Sequence, residues 1–263
     1  MKASRFLCVI SALLVSMAMV SVAPAQQTAS MQPAKIVRQM CDYLKSLQQF
    51  SYRAEVTYDA VDAGGQKVQH TFDMETSVRR PDRLRVNAAG DVINKQFFFD
   101  GKSITLYDKI SKVYATLDVP PNIEAALDKA QKDFNLRVAL TDLASPKLYD
   151  YLSKNFPNSR DLGIDKVRGV SCHHLVFDRK DVQVQLWIDA GGKPLPQKVV
   201  ITEKNSPESP QWTALLNDWN VSSKFDDSLF AFVVPTGVQK INFLPAQKAA
   251  ASGQGTESAK TRR

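Results

Sequence analysis

The densest group of reactive side chains in this 263-residue chain is Cys172-His173-His174. A thiol beside two imidazoles suits zinc ligation or a cysteine nucleophile with a histidine base. The flanking residues read as a strand, on which successive side chains point to opposite faces. Cys172 and His174 then share one face and His173 takes the other. A zinc site would need a further ligand from afar, and the only other histidine is His70, on an early strand. Ordinary packing and hydrogen bonding is the reading preferred for all three. The carboxylates pose the same question, because Asp100, Asp108, Asp181, Asp189 and Asp218 lie near strand ends. Hydrolytic acid/base work needs two carboxyls held about 5 to 9 Å apart, and no spacing here pairs them. Asp100 before Gly101, and Asp189 before Ala190-Gly191-Gly192, fit turns instead. There is no G-x-S-x-G, no phosphate-cradling glycine loop, no H-E-x-x-H and no C-x-x-C. The chain is read as non-enzymatic, with no cofactor and no metal.

Composition agrees with a globular protein: 44% hydrophobic and 23% charged, with 11 Gly and 13 Pro, which sets aside collagen-like, low-complexity and disulfide-scaffold classes. Lys2 and Arg5 precede an apolar run from Phe6 to Val22, and Ala23-Pro24-Ala25 follows. These are the parts of a secretory signal cleaved after Ala25. The run is shorter than the ~20 residues of a membrane span, and Cys8 lacks the small-residue setting of a lipoprotein cleavage site. Residues 1–25 are read as a signal peptide, 26–245 as a single domain and 246–263 as a disordered basic tail. The expected location is the periplasm, with no transmembrane span in the mature chain. The formal charge of +7 falls to about +2 for residues 26–247 once the leader and the tail, with Lys248, Lys260, Arg262 and Arg263, are removed. No nucleic-acid partner is expected. Cys41 and Cys172 remain in the mature chain. An oxidising compartment permits a disulfide between them if their Cα atoms lie within about 7 Å; two buried, apolar thiols are the alternative.

The elements that would position these residues follow from hydrophobic period. Ile36, Val37, Met40, Tyr43, Leu44 and Leu47 recur at helical spacing after Pro33. From Phe50 the period becomes 2: Tyr52, Ala54, Val56 and Tyr58 alternate with polar residues as far as Gly64-Gly65, and a second alternating run follows from His70 to Val78. That is a hairpin. Strands are expected near 83–88, 96–100, 103–107 and 112–117. Pro120-Pro121-Asn122 then caps a helix over 123–135, and a second helical piece covers about 146–154. Strands resume at roughly 160–169, 172–178, 181–189, 196–204, 211–223 and 229–234. The class is α+β, mainly antiparallel β.

What the chain has in abundance is apolar strand surface. Phe97-Phe98-Phe99 makes both faces of one strand apolar. Phe72, Met74, Leu84, Val86, Phe97, Phe99, Leu106, Phe177 and Leu186 on strands, with Leu127 and Phe134 on the helical insertion, are the candidates for the wall of a lipid cavity. Any one of them is as readily explained as core. The case for a cavity rests on the ensemble, because a curved sheet of about ten strands encloses more space than its side chains fill.

The stretches RRPDRLRV (79–86), QFFFDGKSITLYD (96–108), GVSCHHLVF (169–177), LWIDAGGKPLPQKVVITEK (186–204) and LNDWN (216–220) resemble an uncharacterised bacterial family of predicted periplasmic proteins with a domain of unknown function. That family is similar to the lipoprotein-carrier superfamily typified by LolA and LolB. The resemblance implies a half-open curved β-barrel, closed by an N-terminal helix and a mid-chain helical insertion, whose hydrophobic interior takes a lipid or the acyl chains of a lipoprotein. An inner-face arginine of the carriers is not transferred, because Ser51 and Glu55 place Arg53 on the outer face. The alternative is an envelope sensor or protein-interaction module on the same fold, with an envelope protein as partner and no bound lipid. In either case the chain is expected to be a monomer.

Overall fold

The computed structural model describes residues 32–222 and 224–246. The leader expected over 1–25 lies outside them, as does the tail apart from Ala246. Among the described residues no helix is long and apolar enough to cross a membrane.

Helix α1 spans Pro33–Ser46 and begins on a proline, whose missing N–H costs nothing in the first turn. Ile36, Val37, Met40, Cys41 and Leu44 form its buried stripe. A meander of six strands follows: β1 (Gln49–Val61), β2 (Lys67–Arg79), β3 (Arg83–Gly90), β4 (Asn94–Phe99), β5 (Ser103–Asp108) and β6 (Val113–Asp118). Next come α2 (Ile123–Phe134), a 3-10 turn (Thr141–Ala144) and α3 (Leu148–Asn155). Asn122 caps α2 by accepting the Ala125 N–H on its side-chain oxygen. A second meander comprises β7 (Asn158–Val167), β8 (Val170–Asp178), β9 (Val182–Asp189), β10 (Pro196–Glu203) and β11 (Gln211–Asn220). A short β12 (Gln239–Lys240) comes last.

All the strands join one sheet in the order β12-β6-β5-β4-β3-β2-β1-β11-β10-β9-β8-β7. Every pairing is antiparallel except β12 with β6. The two meanders meet where β1 pairs with β11, so strands from opposite ends of the chain form the centre of the sheet. β7 and β12 are its two edges, and the sheet is open. Bulges at Ser51/Arg53 in β1, Asp161/Ile164 in β7 and Pro196/Lys198 in β10 bend it.

Alternation sorts the two faces. Phe50, Tyr52, Ala54 and Val56 are buried on the inner face of β1, where they share the main core cluster with the buried stripe of α1 and with Ile123, Ala126 and Ala130 of α2. Arg53 points outward and pairs with Glu75 at 2.8 Å. A smaller outer cluster gathers Val167, Cys172, Trp187 and Val200.

The segment expected as a strand over 229–234 is not one. It is a 3-10 turn (Asp227–Phe230) leading into an irregular strap that reaches β12. The strap lies on the outer face of the first meander: Phe232 meets Phe98, Tyr107 and Tyr114 at ring distances of 5.4, 5.6 and 5.1 Å. Its side chains pack across the strands, so its backbone bonds arginines rather than a ladder. Phe98 thereby gains the cover that an outward phenylalanine needs. Beyond β12, Phe243 meets Phe134 of α2 at 5.5 Å.

Candidate functional site

A groove of about 470 Å³ is walled by the first turns of α2, the 3-10 turn and α3, within the range of about 300–1,000 Å³ usual for small-molecule sites. Its floor is apolar. Ile123 and Leu148 are buried members of the main cluster, and Leu127 packs against it. Tyr151, 54% exposed, stands at the rim. Lys147 spans the groove to Glu124 at 2.7 Å. Of the candidates for the wall of a lipid cavity, Leu127 alone lines this groove. Ile123, Leu148 and Tyr151 could have been suspected only from the amphipathic pattern of two short helices, which does not show that their faces converge.

The other candidates do not line it. Phe72, Met74, Leu84, Val86, Phe97, Phe99, Phe177 and Leu186 are buried in the main cluster, and Leu106 packs on it. None of the buried ones is more than 8% exposed, so in this state they meet protein and not open space. Phe134 stands apart, against Phe243 beyond β12.

The arginines of residues 79–86 turn out to be fasteners, a role their spacing does not reveal. Arg79 donates to the Phe225 carbonyl at 2.6 Å and to Asp227. Arg85 donates to the Leu229 carbonyl at 3.1 Å. Both hold the strap on the outer face. Arg80 works on the inner face, where its guanidinium donates to the carbonyls of Leu44, Leu47 and Ala144. It thus ties the C-terminal end of α1 to the 3-10 turn beside the groove. Burial lowers its pKa.

In the sequence's reactive cluster, Cys172 is fully buried within the outer cluster. His174 stacks on Trp187 at 3.9 Å, and its Nε2 is 3.0 Å from Gln185 Oε1. Lys198 covers the other ring contact of Trp187 at 4.4 Å, while the indole N–H donates to Asp165 at 3.1 Å. Among the described residues no group of three or more His, Cys, Asp or Glu side chains is placed to hold a metal. Asp100 accepts the Lys102 and Ser103 amides, Asp108 those of Ile110 and Ser111, and Asp189 that of Gly191, so these carboxylates close turns.

The disulfide left open by the sequence is not formed: Cys41 and Cys172 are both free and buried. They belong to different clusters, Cys41 to the inner one and Cys172 to the outer one, so the sheet lies between them. Burial raises the Cys41 thiol to about 12 and the Cys172 thiol to about 11. Against the ordinary value of 9.0, the thiolate fraction at pH 8 is lower by about a thousandfold and about a hundredfold respectively, at tenfold per pKa unit. Alkylation by iodoacetamide at pH 8 should therefore leave both thiols unmodified in the folded protein and modify both in urea. A folded protein that loses both thiols at the urea rate would contradict this burial. The raised values also fix the sign of the alkaline response. Above pH 9 the unfolded chain releases these protons while the folded chain keeps them, so stability falls as pH rises.

A family model described as "Predicted periplasmic protein (DUF2092)" matches residues 34–244. Similar solved structures include an uncharacterized conserved protein from Thermus thermophilus, with 9% identity and a TM-score of 0.48 over 79% of this chain and 97% of that one. The lipoprotein LppX of Mycobacterium tuberculosis has 16% identity and a TM-score of 0.45 over 73% of this chain and 97% of that one. A LolA superfamily protein from Nitrosomonas europaea has 9% identity and a TM-score of 0.41 over 77% and 99%. No curated protein matches the chain.

Proposed function

The chain belongs to the DUF2092 family of predicted periplasmic proteins, and on that premise we propose that it is a non-enzymatic periplasmic binding protein for a lipid or the acyl chains of a lipoprotein. The acyl chain enters between α2 and α3 and lies on the inner sheet face, with α1 and the helical insertion closing over it. Residues 26–245 act as one unit, a monomer that exchanges its cargo with an envelope partner.

The observation that carries this reading is continuity. The apolar floor of the groove, Ile123 and Leu148, is part of the same cluster as Leu84, Phe97 and Phe99 on the sheet. An acyl chain that displaces the insertion therefore moves from one apolar surface to the next, with Arg80 and Asp142 as the charged groups beside its path. Each methylene taken from water contributes about 0.8 kcal/mol and needs no polar partner. Within the insertion α2 is the lighter element to lift, since it buries only Ile123 and two alanines, Ala126 and Ala130.

The test is mass spectrometry of the chain recovered from a bacterial periplasm without detergent. Native spectra should carry a mass excess that denaturing spectra lose, and the released species should contain an acyl chain. In Leu127→Glu, with a charge on the floor of the groove and an unchanged melting temperature, the loaded fraction should fall by more than half. Wild-type protein that is bare in every native spectrum, and stays bare after incubation with lipid vesicles, overturns the reading.

A further inference from the structure

The charges around the groove have the opposite sign to the molecule. Four carboxylates, Glu124, Asp128, Asp142 and Asp150, line it with two ammonium groups, Lys147 and Lys154, which leaves the lining at −2 where residues 26–247 as a whole carry about +2. Glu124 and Asp150 stand in the first turns of α2 and α3, where the helix dipole favours an anion, and with Asp128 and Asp142 they surround the apolar floor.

One cation is already drawn into this ring. The Lys147 ammonium lies 2.7 Å from Glu124. Its pKa is raised by that contact first, with Asp128 and Asp150 adding to the effect. Lys147 is 70% exposed at its side chain, so it is held by charge and not by packing, and another ammonium could exchange with it. Among the described residues none of Asp128, Asp142 and Asp150 is in an ion pair within 4.0 Å. Desolvation raises the Asp142 carboxyl, with Arg137 opposing, as befits a carboxylate whose charge lacks a close partner.

We propose that this groove selects amphiphiles with a positively charged end, an ammonium group on an aliphatic chain, and rejects those ending in an anion. The inference rests on the acyl-binding reading and supplies its head-group rule. The aliphatic part lies on Ile123, Leu127 and Leu148. The ammonium sits at the rim among Asp128, Asp142 and Asp150, displacing Lys147 toward solvent. A terminal carboxylate or phosphate in that place meets three like charges, and discrimination of this kind works by repelling the wrong ligand as much as by holding the right one. The ammonium could belong to an ethanolamine head group or to a lysine next to an acylated residue; the recognition chemistry is the same.

The experiment is calorimetric titration of the delipidated full-length mature chain with dodecylammonium and with laurate, which share an alkyl length and differ in the sign of the head. Dodecylammonium should bind about tenfold more tightly, a difference of one ion-pair contact near a surface. That preference should shrink at 1 M salt, where the Debye length is about 3 Å. In the double variant Asp142→Asn, Asp150→Asn, laurate should gain affinity and dodecylammonium should lose it, until the two differ by less than about threefold. Equal affinities in the wild type overturn the head-group rule and leave acyl binding standing. Failure of both probes to bind overturns acyl binding and the rule with it. Lysophosphatidylethanolamine against lysophosphatidylglycerol, and a laurylated Ser-Lys peptide against Ser-Ala, then name the source: the pair that discriminates is the one whose ammonium the rim reads.

Discussion

Phe230→Ala should lower the unfolding free energy by about 3–5 kcal/mol, the usual cost of deleting a buried phenylalanine. Phe230 is 0% exposed, an unusual degree of burial for a side chain on a strap with almost no ladder of its own. It sits under the Arg79 guanidinium at 5.4 Å and edge-on to Phe225 at 6.1 Å. The Arg79 and Arg85 bonds to Phe225 and Leu229 depend on the strap remaining seated. When Phe230 goes, Phe98 and Tyr107, buried at 5% and 8% exposure, lose the layer that covers them. The loss is large beside a total stability of about 5–15 kcal/mol. Urea denaturation should show a midpoint shift with an unchanged slope. A loss under about 1 kcal/mol would mean that the strap is not part of the cooperative unit.

Arg80→Ala should cost about 3 kcal/mol. Its guanidinium serves three main-chain carbonyls, those of Leu44, Leu47 and Ala144. A hydrogen bond to a charged group contributes about 1.5–3 kcal/mol, and the partial exposure of this arginine brings the loss below the simple sum of three such bonds. At about 2–4 °C per kcal/mol for a domain of this size, the melting temperature should drop by roughly 6–12 °C. Arg80→Lys should recover less than half of the loss, because one ammonium cannot reproduce a planar fork that reaches two elements at once. Limited proteolysis should open the alanine variant first around residues 45–48 and 143–146. Full rescue by lysine would show that charge alone, and not the fork, matters at this position.

How much of this was legible depended on how far each residue's partner lies along the chain. The β1–β2 hairpin, α1 and α2 were readable because period and cap are local: Tyr52, Ala54 and Val56 alternate, and Asn122 stands before α2 at capping distance. The turn duty of Asp100, Asp108 and Asp189 was readable for the same reason. Phe97-Phe98-Phe99 announced that both faces of β4 are apolar, but not that residues 225–234 cover the outer one, because Phe98 and Phe232 are far apart in sequence. The alternating Phe230, Phe232 and Val234 looked like a strand, and packing against Tyr107 and Tyr114 prevailed over ladder formation. The strand residues Phe72, Met74, Leu84, Val86, Phe97, Phe99, Phe177 and Leu186 were recognisable as apolar and inward by alternation, whereas nothing local to Phe134 shows that it meets Phe243. The groove was not recognisable, since α2, the 3-10 turn and α3 each supply a few residues to it and no single stretch carries its signature.

The seam between β1 and β11 sets the order in which the protein can assemble. A chain that emerges N-terminus first can zip β1 through β6 from neighbouring hairpins, since each loop closed is short. The other edge of β1 must wait for Gln211–Asn220, about 160 residues later, before Ala54 meets Leu216. During that interval an edge strand with Tyr52, Ala54 and Val56 on one face is exposed to any other chain that offers a ladder. Until β11 arrives, the vulnerable state is a half-sheet with its most central strand on the outside, and the rate of its last pairing sets how long that state must be protected.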